Sequence, residues 1–84
     1  LEKGSIIAYP NPARDQIRFR FAEPTSSRST LVIFDVMGKA VRSIIISAQS
    51  LEQSVELKGL AAGLYHYSIQ NTDRNYSGKF VVLD

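Results

Sequence analysis

Apolar and polar residues alternate with a period of two along most of this chain. Ile17, Phe19 and Phe21 are interleaved with Gln16, Arg18 and Arg20. Successive side chains of an extended strand point to opposite faces, so the segment predicts a strand with one buried and one solvated face. Tyr65, Tyr67 and Ile69 alternate with His66, Ser68 and Gln70 in the same way, and Val55 and Leu57 alternate with Glu56 and Lys58. The stretch from Thr30 to Val36 is apolar apart from Asp35 and rich in β-branched residues, which predicts a central strand covered on both faces. Val41 to Ile46 is similar but more mixed. Ile6 to Tyr9 and Tyr76 to Leu83 complete a set of about seven strands, and no long segment has a helical period.

The turn chemistry agrees with this division. Met37 and Gly38 separate the strand ending near Val36 from the one starting at Lys39, and Gly38 can adopt the positive φ of a tight hairpin. Asn71, Thr72, Asp73, Arg74 and Asn75 predict a second hairpin before the final strand. Pro24 to Ser29 reads as a loop, and Ser47 to Gln53 as a loop or a short turn of helix. Seven short strands so spaced predict an all-β, antiparallel β-sandwich of immunoglobulin-like or jelly-roll type. Its expected core is Ile17, Phe19, Phe21, Val32, Phe34, Leu57, Tyr65, Tyr67, Ile69, Phe80 and Val82. Residues 1–84 read as one domain, with 1–5 a linker remnant and the sandwich beginning near residue 6. The first residue is Leu1, and the chain reads as a piece of a longer protein.

Composition narrows the function classes. The 84 residues are 44% hydrophobic and 21% charged, an ordinary globular balance. A domain of this size buries about 60–65% of the surface its unfolded chain exposes, which leaves little room for a deep active-site cavity. There is no cysteine, and therefore no disulfide or thiolate chemistry. The longest apolar runs, Leu31 to Phe34 and Phe80 to Leu83, fall far short of the roughly 18 residues of a membrane helix. Lys and Arg total 10 against 8 for Asp and Glu, and the +2 balance is scattered from Lys3 to Lys79. Nucleic-acid binding needs a basic stripe with interleaved aromatics, so it is not expected.

The residue types of an active site are also sparse. His66 is the single histidine, and alternation places it opposite Tyr65 and Tyr67, on the solvated face. No Gly-x-Ser-x-Gly elbow exposes a serine, and one histidine without cysteine makes a poor zinc site. The carboxylates are dispersed over different loops and strands, with no Asp-x-Asp-x-Asp-Gly calcium loop. The expectation is a chain with no catalytic residue, metal or cofactor of its own.

Three segments make unusual demands on the backbone. Tyr9-Pro10-Asn11-Pro12-Ala13 surrounds one Asn with two prolines, lacks two backbone donors and cannot lie inside a sheet. It reads as a stiff entry into the next strand or as a preformed recognition edge. Leu60-Ala61-Ala62-Gly63-Leu64-Tyr65 leads from a loop into a strand, and packing of Leu60 and Tyr65 around a turn at Gly63 is its simplest reading. Gly78-Lys79-Phe80-Val81-Val82-Leu83-Asp84 is an apolar strand. If Phe80 and Val82 are buried, Val81 and Leu83 face outward and offer a partner a place to dock; a centrally placed strand, covered on both faces, explains the pattern equally well.

Taken together and in this order, these segments and Val32-Ile33-Phe34-Asp35-Val36-Met37-Gly38-Lys39-Ala40-Val41 resemble the type A C-terminal sorting domain of the Bacteroidetes type IX secretion system. The resemblance covers nearly the whole chain, and its specificity lies in the combination of these segments with Gly78 to Val82 at the end. It implies a signal carried by secreted cargo, read by an outer-membrane translocon and its shuttle proteins and commonly removed by a sortase-like surface peptidase. It also implies passage through the periplasm to the cell surface or the medium, with cleavage at or before Leu1 to Ser5. On that reading Pro10, Asn11, Pro12, Gly78, Lys79, Phe80, Val81 and Val82 are the candidates for partner recognition. Asp35, Gly38, Lys39, Leu60, Gly63 and Tyr65 are the structural motif. Unpaired strand edges make self-association a further expectation. The competing reading is a carbohydrate-binding or adhesive sandwich of an extracellular enzyme, for which Trp, the usual sugar platform, is missing. A small hydrolase is the third, and lacks a triad.

Overall fold

A computed structural model describes residues 5–84. Most of the linker expected at residues 1–5 lies outside the described residues. Seven antiparallel strands form two facing sheets, as the alternation predicts. They are β1 (Ile6–Tyr9), β2 (Gln16–Phe21), β3 (Ser29–Phe34), β4 (Ala40–Ile46), β5 (Glu52–Glu56), β6 (Gly63–Gln70) and β7 (Asn75–Val82). One sheet has the order β1-β2-β5 and the other β4-β3-β6-β7. The region from Ser47 to Leu51 forms no helix; it is stitched instead to the 24–29 loop. The hydroxyl of the buried Thr25 donates to the Ser47 carbonyl at 2.9 Å and accepts from the Ser50 amide at 3.0 Å.

Each strand buries the parity that its alternation assigns, with one exception. Ile17, Phe19 and Phe21 of β2 and Tyr65, Tyr67 and Ile69 of β6 all point into the core, joined by Val55, Leu57, Phe80 and Val82. In β3 the expected phase is reversed. Leu31 and Ile33 are buried at 1% and 0% exposure, whereas Val32 and Phe34 lie half-buried on the outer face. The strand is central, as expected, but it is covered on one face only. Because the run is apolar at both parities, its own pattern carries no phase. Pairing supplies it, since Ile33 lies opposite Tyr67 and Leu31 opposite Ile69, both inward.

The rings knit the layers. Phe19 meets Tyr67 edge-on with centroids 4.8 Å apart, and Phe80 stacks against Tyr65 at 5.9 Å. Offset and edge-on pairs of this kind add about 0.5–1.5 kcal/mol to the burial of the rings themselves. Replacing Phe19 by Ala should therefore cost about 3–5 kcal/mol, against about 1–2 kcal/mol for Phe34→Ala on the half-exposed face. Urea denaturation of the two variants measures the difference, and equal losses would contradict the observed phase of β3. Burial also raises the pKa of the Tyr67 phenol above the ordinary tyrosine value. The unfolded chain then gives up this proton at a lower pH than the folded one. Stability should be intact below about pH 10 and fall as the pH rises beyond it; Tyr67→Phe should flatten that decline in an alkaline melting series.

Candidate functional site: the joined ends of the chain

The structural motif residues lie in two turns. In the β3–β4 turn, one carboxylate oxygen of Asp35 accepts from the amides of Met37 and Lys39, each at 2.9 Å. Gly38 follows with φ +83°, so Asp35, Gly38 and Lys39 together close the hairpin. Ahead of β6, the Tyr65 hydroxyl donates to the Ala61 carbonyl at 2.6 Å. This is a tyrosine corner, in which a ring anchored in the core ties back the loop that led to it. Gly63 has φ +152° with open space where a Cβ would stand. Its requirement is therefore conformational rather than steric, and Leu60 packs beside the core as the sequence suggests.

Tyr9 to Ala13 and the last strand, from opposite ends of the chain, meet at one sheet edge. The linker from β1 to β2 runs alongside β7, with both Tyr9-Pro10 and Asn11-Pro12 bonds cis. The Asn11 side-chain oxygen accepts from the Val81 amide at 3.0 Å. The Ala13 amide donates to the Val81 carbonyl, and the Leu83 amide to the Ala13 carbonyl, both at 2.8 Å. Ala13 and Val82 thereby form a parallel bridge, and the Arg14 guanidinium reaches the Asp84 carbonyl. A short polar clip thus covers the C-terminal half of an edge strand whose backbone would otherwise be open. Pro10, Asn11 and Pro12 are exposed.

The predicted recognition residues of β7 divide by parity. Lys79 and Val81 face outward, while Phe80 and Val82 are core residues at 1% and 2% exposure. Gly78 lies opposite Tyr67 in the register, and a Cβ there would stand 2.5 Å from the Tyr67 hydroxyl oxygen and 2.7 Å from Cζ. The ring occupies the place of the missing side chain. Around the outward residues the register sets Leu64 beside Val81, and His66 between Lys79 and Phe34. Leu64, Val81 and Leu83 are 39%, 37% and 40% exposed, so three aliphatic side chains lie bare next to the clip. Ala13, Arg14 and Leu64 were not among the candidate recognition or motif residues, although Ala13 and Leu64 lie within the segments singled out. Leu64 could have been found from the alternation, because it is an aliphatic residue on the parity that β6 otherwise fills with His66, Ser68 and Gln70.

Among the described residues, no three His, Asp or Glu side chains gather as a metal site would require. His66 is exposed, and Tyr65 and Tyr67 are buried, so neither ring offers a surface to a sugar. The model of one family, the secretion system C-terminal sorting domain, matches residues 7–83. The chain belongs to that family. The match takes in the clip, both turns and the whole of β7, and the family is one of type IX secretion signals rather than of enzymes. A sorting domain of this kind implies secretion to the cell surface or beyond, and so an interaction with the secretion machinery. No curated protein matches the chain.

The geometry makes Asn11 the side chain that fixes the end of β7. Asn11→Ala should leave the Val81 amide without a partner, at a cost of about 1 kcal/mol. Hydrogen exchange should quicken at Val81 and Leu83 while Tyr67 and Ile69 keep their protection; unchanged exchange at Val81 would show that the clip does not hold the strand.

Proposed function

We propose that this domain is a C-terminal address read at the edge where the chain ends meet, through Pro10, Asn11 and Pro12 of the clip and the outward Lys79 and Val81 of β7. The observation that carries the reading is the hydrogen bonding of Asn11 and Ala13 to Val81 and Leu83, which presents both segments side by side. Gly78, Phe80 and Val82 serve recognition indirectly, by seating the strand. The reader is the type IX translocon with its outer-membrane shuttle proteins, reached after passage through the periplasm. A sortase-like peptidase then removes the domain at or before residues 1–5. Residues 1–84 act as one unit in this role, and a free strand edge lets copies associate.

A signal peptide and a fluorescent reporter fused ahead of the domain, expressed in a bacterium with a type IX system, test the reading. The unaltered fusion should reach the surface or the medium. Lys79→Glu together with Val81→Thr leaves Phe80 and Val82 in place, so the domain should melt near the wild-type temperature while the reporter stays in the periplasm. Undiminished export of that folded variant would sink the assignment to this face, and periplasmic retention of the unaltered fusion would sink the export reading.

A further inference from the structure

The hydrogen bonds of the clip fix which way every strand of the larger sheet turns its backbone. Val81 aims its amide and carbonyl at the clip, away from β6. In an antiparallel ladder successive residues alternate between bonding one neighbour and the other. Carried through the registers, Phe80 bonds Tyr65, His66 bonds Phe34, and Ile33 and Leu31 bond Arg42 and Ile44. Ser43 and Ile45 of β4 therefore turn their amides and carbonyls out of the sheet. In the smaller sheet the phase is set by the bonds of Phe21 to Leu51 and of Leu57 to Asp15. It turns Glu52, Ser54 and Glu56 of β5 outward.

Three of the four edges carry a device against pairing. β7 has the clip and Lys79. β5 carries two carboxylates, and the Arg42 guanidinium caps the carbonyls of its last residue, Glu56, and of Lys58 just beyond it at 3.0 and 2.7 Å. β1 has only four residues and runs into Pro10. Edge charges, prolines and short strands are the usual defences of natural sheets. β4 has seven residues and no proline; its one charge, Arg42, is turned toward β5. Ile45, in the open stretch, is 55% exposed.

We infer that β4 is a homotypic seam, pairing antiparallel with β4 of a second copy. A two-fold axis at Ile44 sets Ser43 opposite Ile45 of the other copy and the reverse, so one edge satisfies the other's donors and acceptors. A second copy fits because the open stretch is uncharged, and identical edges meet there without like-charge repulsion. The joined sheet has eight strands, with both β7 strands and their clips at its far ends. The surface buried by one short strand pair is below that of a stable dimer, so the association is weak and reversible, with Kd on the order of 0.1–1 mM.

The purified domain tests this without any export machinery, so its outcome is independent of the sorting assignment. In a dilution series followed by NMR, the amides of Ser43 and Ile45 should shift with concentration and gain exchange protection, while those of Ser77 and Lys79 should not. Ser43→Pro removes only an outward-facing donor, which an edge strand tolerates, and Ile45→Lys sets a charge beside the seam. Each should weaken association about tenfold or more in sedimentation equilibrium with the melting temperature little changed, and Ser77→Pro should associate like the wild type. A wild-type domain that is monomeric at about 1 mM, concentration-dependent shifts at Ser77 and Lys79 instead, or wild-type association of Ser43→Pro would each overturn the inference.

Discussion

The edge-on contact of Phe19 with Tyr67 is the point on which this small sandwich turns. Phe19 belongs to the three-stranded sheet and Tyr67 to the four-stranded one, and their centroids are 4.8 Å apart. Tyr67 reaches that position by lying across Gly78, where any Cβ would collide with the ring. It also touches Phe80, which stacks on Tyr65, whose hydroxyl ties back the loop before β6. A glycine in a strand normally weakens it. Here the ring of the opposite residue restores the lost packing, so Gly78 and Tyr67 are one feature written at two places in the chain.

A thin core sets a second constraint, because two small sheets expose four edges for little buried area. Three of these edges are managed with local means: proline and asparagine beside β7, carboxylates on β5, brevity in β1. The Arg42 side chain crosses from β4 to the carbonyls of Glu56 and Lys58 and so links the sheets as well as blunting an edge. The clip does two things at once. It satisfies the backbone of Val81 and Leu83, and it fixes Pro10, Asn11 and Pro12 beside the outward residues of β7.

How much of this was legible in the sequence depended on whether a segment's pattern had a phase. β2 and β6 alternate strictly, and their buried parity could be read directly. In β3 both parities are apolar, and Val32 and Phe34 were expected where Leu31 and Ile33 are found. The choice is made by partners some 35 residues further along, which a local pattern does not contain. Turns read well because Asp35 and Gly38 act on their own neighbours. The clip did not, since it joins residues about 70 positions apart. Two prolines announced a stiff segment without saying what it lies against. Gly78 had the same difficulty: its spacing in a terminal motif suggested contact with a partner, and only the register shows the ring above it.

Parity along β7 gives one strand two separate tasks. The inward residues Phe80 and Val82 and the ring-covered Gly78 hold the strand in the sandwich, and the outward residues Lys79 and Val81 are left to vary without cost to the core. The outward face is tied to folding by the inward half, because loss of Phe80 would scatter the outward side chains along with the strand. It is tied to the front of the domain by the clip, because the amide of Val81 and that of Leu83 are bound by residues near the other end. The β6–β7 pairing sets Leu64 beside Val81, and the clip then holds Val81 and Leu83 in place, so this exposed aliphatic face is complete only when hairpin and clip have both formed.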